Sequence, residues 1–121
     1  MRVVTELFVS ALVRRAFASG GFAAIERRGA TEAGAIFIRQ RFRTGLETLF
    51  GPAPQSVFGN GEGGERFFEI RADRDDPIAC DAILAREAKF DSDLWIVGLE
   101  VDDIADLFDV VPSHGSDGFQ E

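Results

Sequence analysis

Tyrosine is absent from this 121-residue chain, and cysteine, histidine, tryptophan and methionine occur once each. Each scarcity removes a class of protein. A lone cysteine, Cys80, forbids an intramolecular disulfide and suits a reducing compartment. One cysteine and one histidine cannot assemble a structural zinc site within one chain. "DRDDP" at 73–77 begins like a calcium loop, but Pro77 stands where an oxygen ligand is needed, so no metal is expected. No stretch approaches the roughly 20 apolar residues of a membrane span, and no G-K-[ST] phosphate loop is present. Lysine occurs once, at Lys89, against twelve arginines. With an acidic chain and no aromatic-plus-basic recognition motif, nucleic acid is not an expected partner. The N-terminal run "MRVVTELFVSALVRRAFASGG" lacks a clean signal peptide, because Glu6 interrupts its apolar part and Arg14 and Arg15 follow it. A cytoplasmic protein with no membrane association is the expectation.

What is present describes one folded unit. Hydrophobic residues make up 45% and charged residues 28%, ordinary values for a globular domain. The net charge of −8 is unevenly spread: residues 1–50 hold eight Arg and four Glu, a balance of +4. Residues 51–121 hold five bases and seventeen acids, a balance of −12. Such a division bears on association rather than on fold. Residues 1–101 are read as a single α+β domain, and 102–121 as an acidic amphipathic segment with a flexible tail.

Periodicity gives the element order. Residues 4–19 carry apolar side chains at helical spacing (Val4, Leu7, Phe8, Ala11, Leu12, Ala18), and Gly20-Gly21 ends the run. "FAAIERRG", "AGAIFIRQRF" and "LETLF" read as three strands whose short connections predict an antiparallel meander. "RFFEIRA" is a fourth strand. "DDPIACDAILAREAKF" is a helix with Asp76 at the N-cap and Pro77 at N1, and Ile78, Ala79, Ala82, Ile83 and Phe90 on one face. "DLWIVGLEV" is apolar throughout and reads as a buried central strand. The order α-β-β-β-β-α-β predicts a mixed, mainly antiparallel sheet of about five strands with two helices on one face. "DDIADLFDVV" adds a short C-terminal helix.

Few motifs carry chemistry. "GNGEGG" at 59–64 spells a dinucleotide fingerprint, but its glycines lead into a strand instead of opening a helix, so no phosphate meets a helix N-terminus. No cofactor is expected. His114 lies in "SHGSDG", a tail segment unsuited to holding a triad. Cys80 reads as a half-buried structural cysteine, since Asp75, Asp76 and Asp81 disfavour a thiolate. Asp91 and Asp93 read as turn caps. These readings predict no catalytic residue and favour a non-enzyme.

One pattern points to binding. Strand alternation in "AIFIRQRFR" sets Phe37, Arg39, Arg41 and Arg43 on one face, with Arg27 and Arg28 close by. Guanidinium groups suit carboxylate or phosphate, so Arg27, Arg39, Arg41 and Arg43 are the candidate anion anchors of a small-ligand binder or enzyme. Alternatively their charge is met by local glutamates. The acidic segment Asp102, Asp103, Asp106, Phe108 and Asp109 is the candidate partner-binding surface, resting on that strip in cis or on a second copy. The preferred function is a non-enzymatic interaction or regulatory module that binds a protein partner or self-associates as a homodimer.

The runs "SALVRRAFASGGFAAIERRGATEAGAIFIRQRF", "LETLFGPAPQS", "RFFE" and "FDSDLWIVGLEV" resemble domain-of-unknown-function family 1491, short proteins found chiefly in alphaproteobacteria. The resemblance spans residues 1–101 and implies a single domain in a cytosolic bacterial setting. It implies no activity, cofactor or site residue.

Overall fold

A computed structural model describes residues 4–54 and 66–112 of the chain. The elements are α1 (Thr5–Ala18), β1 (Phe22–Arg27), β2 (Ile36–Arg41), β3 (Glu47–Pro52), β4 (Phe67–Asp75), α2 (Pro77–Phe90), β5 (Trp95–Glu100) and β6 (Asp109–Val110). The α+β class, the mixed sheet and the element order through β5 are as the sequence predicts. A two-residue strand, β6, replaces the short C-terminal helix expected from residues 102–111. There the chain turns at 105–107 and pairs Asp109 and Val110 parallel to Phe67 and Phe68.

The sheet order is β1-β5-β2-β3-β4-β6, so the expected three-strand meander does not form. β5 enters between β1 and β2, antiparallel to the first and parallel to the second. The physical reason lies in the loop 28–35, which wraps the start of β5. Ala30 N–H donates to the Asp93 carbonyl at 3.0 Å, and the Trp95 indole N–H donates to the Ala30 carbonyl at 2.8 Å. Gly29 and Gly34 permit this approach, since a Cβ at either position would strike the Asp93 backbone. Strand β5 is buried on both faces at its centre, as its unbroken apolar run predicts.

The two helices cover opposite faces of the sheet, not one. α1 buries Thr5, Val9, Leu12 and Ala16, the last three against Ile36, Ile38, Trp95, Val97 and Leu99. α2 buries Cys80 and Leu84 against Phe37, Leu49 and Leu94. Ile36, Phe37 and Ile38 alternate along β2, so the two clusters lie on its two sides. Because "AIFI" and "LWIVGL" are apolar in consecutive positions, both faces need cover. Each fully buried Leu or Val contributes about 1.5–3 kcal/mol.

The same data correct two helix faces. On α1, Leu7 is exposed and the core stripe is Thr5-Val9-Leu12-Ala16. On α2, Ile78 and Phe90 face solvent, while Ile83 and Ala88 pack beside Cys80 and Leu84. The α2 start is as predicted: the Asp76 carboxylate accepts the Ile78 N–H at 2.8 Å, with Pro77 in the first turn. Asp91 likewise accepts the Asp93 N–H at 2.9 Å, the turn-capping role expected of it.

Candidate functional site

The sheet carries two features of note: an ionic cluster on the α2 face, and the edge at β1. The cluster begins with the β2–β3 hairpin. Gly45, at φ +95°, makes the turn, and the register sets Arg41 opposite Glu47. Alternation then brings Arg39 to the same side as Arg41. The Arg39 guanidinium donates from Nε and Nη2 to Glu47 Oε1 at 2.9 and 2.6 Å. Arg41 Nε donates to the other oxygen, Glu47 Oε2, at 3.0 Å. Glu26 of β1 pairs with Arg41 Nη1 and approaches Arg39 Nη1 at 3.8 Å. Asp81 of α2 reaches Arg39 Nη2 at 2.8 Å. Two cations and three carboxylates thus tie β1, β2, β3 and α2 together. Gly98 of β5 lies beneath, and a Cβ there would collide with the Glu26–Arg41 pair.

Burial sets the electrostatics. The Arg39 side chain is 10% exposed and Glu47 5%, so neither charge is stable there without the other. Burial lowers the Arg39 pKa, but hydrogen bonds to Glu47 and Asp81 outweigh it and the net shift is upward. For Arg41 the Glu26 hydrogen bond leads and the net shift is again upward. Cys80 packs close by and is fully buried, deeper than the half-buried state expected of it. Burial pushes its thiol pKa up, and the Glu47 charge adds to the effect. This thiol is a packing group held in its neutral form.

The candidate anion anchors are therefore dispersed. Arg39 and Arg41 share the cluster, where their own chain's carboxylates meet them. Arg43 lies in the hairpin turn beyond β2. Arg27 donates to the backbone carbonyls of Leu94 and Ser92 at 3.3 and 3.1 Å. Arg28 pairs with Glu6 and lies 5.1 Å from the Trp95 ring centroid. Among the candidate partner residues, Asp102, Asp103 and Asp106 share a cleft of about 700 Å³ with Arg41 and Arg43. No ion pair joins the acidic segment to the arginines among the described residues. Asp109 lies on β6 and is exposed. Phe108 is committed to the core: its ring meets Phe50 and Phe68 edge-on at 5.1 and 5.2 Å. Residues 59–64 and His114 lie outside the described residues. No group of three or more His, Cys, Asp or Glu is placed to hold a metal among the described residues.

Sequence reasoning found Arg39 and Arg41 and the alternative that local glutamates meet them, which Glu26 and Glu47 do, but it named neither of these nor Asp81. Glu47 was legible, because a turn around Gly45 sets it opposite Arg41. Gly98, inside an apolar strand, was the other available signal, since an interior strand glycine marks close approach.

The open edge is the second feature. Among the described residues β1 ends the sheet, with β5 as its one strand neighbour. α1 returns alongside it through Gly20, at φ +94°. Glu6, Ser10, Val13 and Phe17 recur at helical spacing. The Glu6–Arg28 pair and the Phe17–Phe22 ring contact at 5.5 Å fix both ends of this stripe along β1. Phe17 and Phe22 are each 50% exposed, and Ile25 38%. The result is a set of half-exposed apolar side chains beside the edge strand.

Among the described residues these features define a two-helix, six-stranded α+β domain with an ionic cluster whose two arginines are met by three carboxylates of the same chain, and with β1 at one edge of the sheet. A family model described as "Protein of unknown function (DUF1491)" matches residues 3–109, and the chain belongs to that family. Its fold is similar to the solution structure of protein Atu0922 from A. tumefaciens, with a TM-score of 0.83 and 51% identity over 93% of this chain and 98% of that one. It is also similar to a DUF1491 family protein from Caulobacter crescentus CB15, solved as a crystal structure (TM-score 0.74, 30% identity, 92% of this chain and 99% of that one). An NMR structure of a DUF1491 family protein from the same organism gives a TM-score of 0.74 at 32% identity, covering 92% of this chain and 98% of that one. No curated protein matches the chain. No helix among the described residues is long and apolar enough to cross a membrane.

Proposed function

We propose that the protein is a non-catalytic interaction module that binds other proteins along its β1 edge. The observation that carries this reading is the edge strand β1 with its half-exposed Phe22 and Ile25 beside Phe17 of α1. An unpaired strand lies beside a helix whose facing stripe holds Val13 and Phe17. An extended segment added to β1 gains main-chain hydrogen bonds from the strand and side-chain contacts from the helix, the mode of strand addition. Natural sheet edges are ordinarily guarded by lysine, proline or a bulge. β1 contains neither lysine nor proline, and its one irregularity lies between Ile25 and Arg27, which leaves 22–25 open.

A photo-crosslinking residue at position 25, compared in cells with one at exposed position 78 on α2, tests the reading. Adducts are expected from position 25, and the Ala24→Lys variant should suppress them by placing a charge on the edge. Equal adduct patterns from the two positions, or adducts indifferent to Ala24→Lys, would refute it.

A further inference from the structure

We infer that the cleft at the C-terminal end of α1 binds a small zwitterion, with an amine at one end and a carboxylate at the other. This site does not depend on the β1 edge and needs no second chain. Three segments form the cleft of about 700 Å³: the turn after α1, the β2–β3 hairpin and the run from Glu100 to Leu107. Small-molecule sites occupy about 300–1,000 Å³ and combine apolar lining with a few polar groups. Here the apolar lining comes from Val101 and Leu107, which are buried, and from the half-buried Phe42. The charged lining is divided by segment. Glu100, Asp102, Asp103 and Asp106 belong to the last run, and Arg41 and Arg43 to the hairpin.

Charges of both signs thus surround one space without pairing across it. Arg41 is committed to Glu26 and Glu47. Arg43, Glu100, Asp102 and Asp106 are exposed and make no ion pair among the described residues. The backbone that carries them is fixed on both sides. Phe42 N–H donates to the Leu46 carbonyl and Gly45 N–H to the Phe42 carbonyl, each at 3.0 Å, closing the hairpin around Arg43. The Gln40 amide donates to the Val101 carbonyl, the Arg15 guanidinium to the Leu107 carbonyl and the Ala105 N–H to the Asp103 carboxylate, each at 2.9 Å. Anchored walls lower the ordering cost of binding. The C-terminal end of the α1 dipole adds negative potential beside Ser19 and Gly20, which favours a cation there. An ammonium is met by Asp102 and Asp106, and a carboxylate by the Arg43 guanidinium, whose fork suits it bidentately. A simple cation satisfies the acids but is repelled by Arg43, and a simple anion meets the reverse. The ligand that satisfies both carries both signs.

Titration of the full chain with ω-amino acids of increasing length, from glycine to ε-aminocaproate, tests the inference by amide NMR at fixed ionic strength. The diamine and the dicarboxylate of matching length are the controls. At least one member of the series should shift the amides of Gly20, Gly21, Arg43 and Asp106. It should bind at least about tenfold tighter than either control, the factor that one charge-assisted contact supplies. Arg43→Ala should bring its affinity down toward that of the diamine, and Arg43→Lys should retain most of it. Asp102→Asn combined with Asp106→Asn should bring it down toward that of the dicarboxylate. These side chains are exposed, so the variants should keep the amide spectrum away from the cleft. If one fails to fold, the comparison of zwitterion with diamine and dicarboxylate on the unaltered chain decides alone. No shift at the cleft amides with any member, or binding of either control as tight as the zwitterion, overturns the proposal. A preference for the zwitterion that survives Arg43→Ala overturns it too.

Discussion

At the residue scale, Glu47 is the side chain on which the ionic cluster turns. It accepts from Arg39 with one oxygen and from Arg41 with the other, while almost wholly buried. Removing one partner of a buried pair leaves the other charge uncompensated, at a cost of about 3–5 kcal/mol. Asp81 and Glu26 remain within reach of Arg39, so Glu47→Ala should fall at the lower end of that range. Asp81 is 62% exposed, and Asp81→Ala should cost no more than about 1 kcal/mol. Urea denaturation of the two variants checks the ordering. Cys80 gives a second test at this scale. Its folded pKa lies above the unfolded value, so the unfolded chain loses this proton first as pH rises. Its contribution to stability is full below the unfolded thiol pKa of about 8.5 and declines above it. Stability should therefore fall with pH above that value in the wild type and less so in Cys80→Ala. A thiol reagent at neutral pH should label Cys80 only on unfolding.

At the element scale, glycines decide how closely the strands and loops approach. Gly34 and Gly98 both sit where a Cβ has no room, but against different neighbours. At Gly34 the obstacle is the Asp93 backbone, which cannot move without dislodging the loop that wraps β5. At Gly98 the obstacles are the flexible ends of Glu26 and Arg41. Gly34→Ala should cost about 1–3 kcal/mol or more, as overpacking does. Gly98→Ala should cost under about 1 kcal/mol, because it disturbs only a partly exposed ion pair and restricts the unfolded chain. Thermal melts of the two variants give the comparison.

The same scale explains what the sequence disclosed. Element types and order through β5 were legible because period and turn chemistry are local. The α2 cap was legible for the same reason. The neighbour of β1 was not, since strand order depends on a loop packing against residues far along the chain. The helix faces were misread where apolar residues lie on several sides, as on α1, and periodicity cannot choose among them. Residues 102–111 carry helical spacing at Ile104, Ala105 and Phe108, but tertiary contacts overrode it. Phe108 docks between Phe50 and Phe68, and that placement draws the following residues into β6. The arginine pattern on β2 was visible, whereas the carboxylates that meet it come from β1, β3 and α2 and needed the fold to be known.

At the scale of the whole molecule, the uneven charge in the sequence does not become a simple dipole of basic and acidic halves. Arg39 and Arg41 of the basic half are met by Glu26 and Glu47 of the same half and by Asp81 of the other. The position of β5 also constrains how the chain is assembled. During synthesis the last long strand to emerge is the one that must slide between the first two. Until then β1 has no strand neighbour, and Val9, Leu12 and Ala16 have only part of their floor, that supplied by Ile36 and Ile38 of β2. A nascent chain halted after α2 can zip β2, β3 and β4 together yet leaves β1 without a strand neighbour, so the β1 side of the sheet waits on a closure from residue 22 to residue 100.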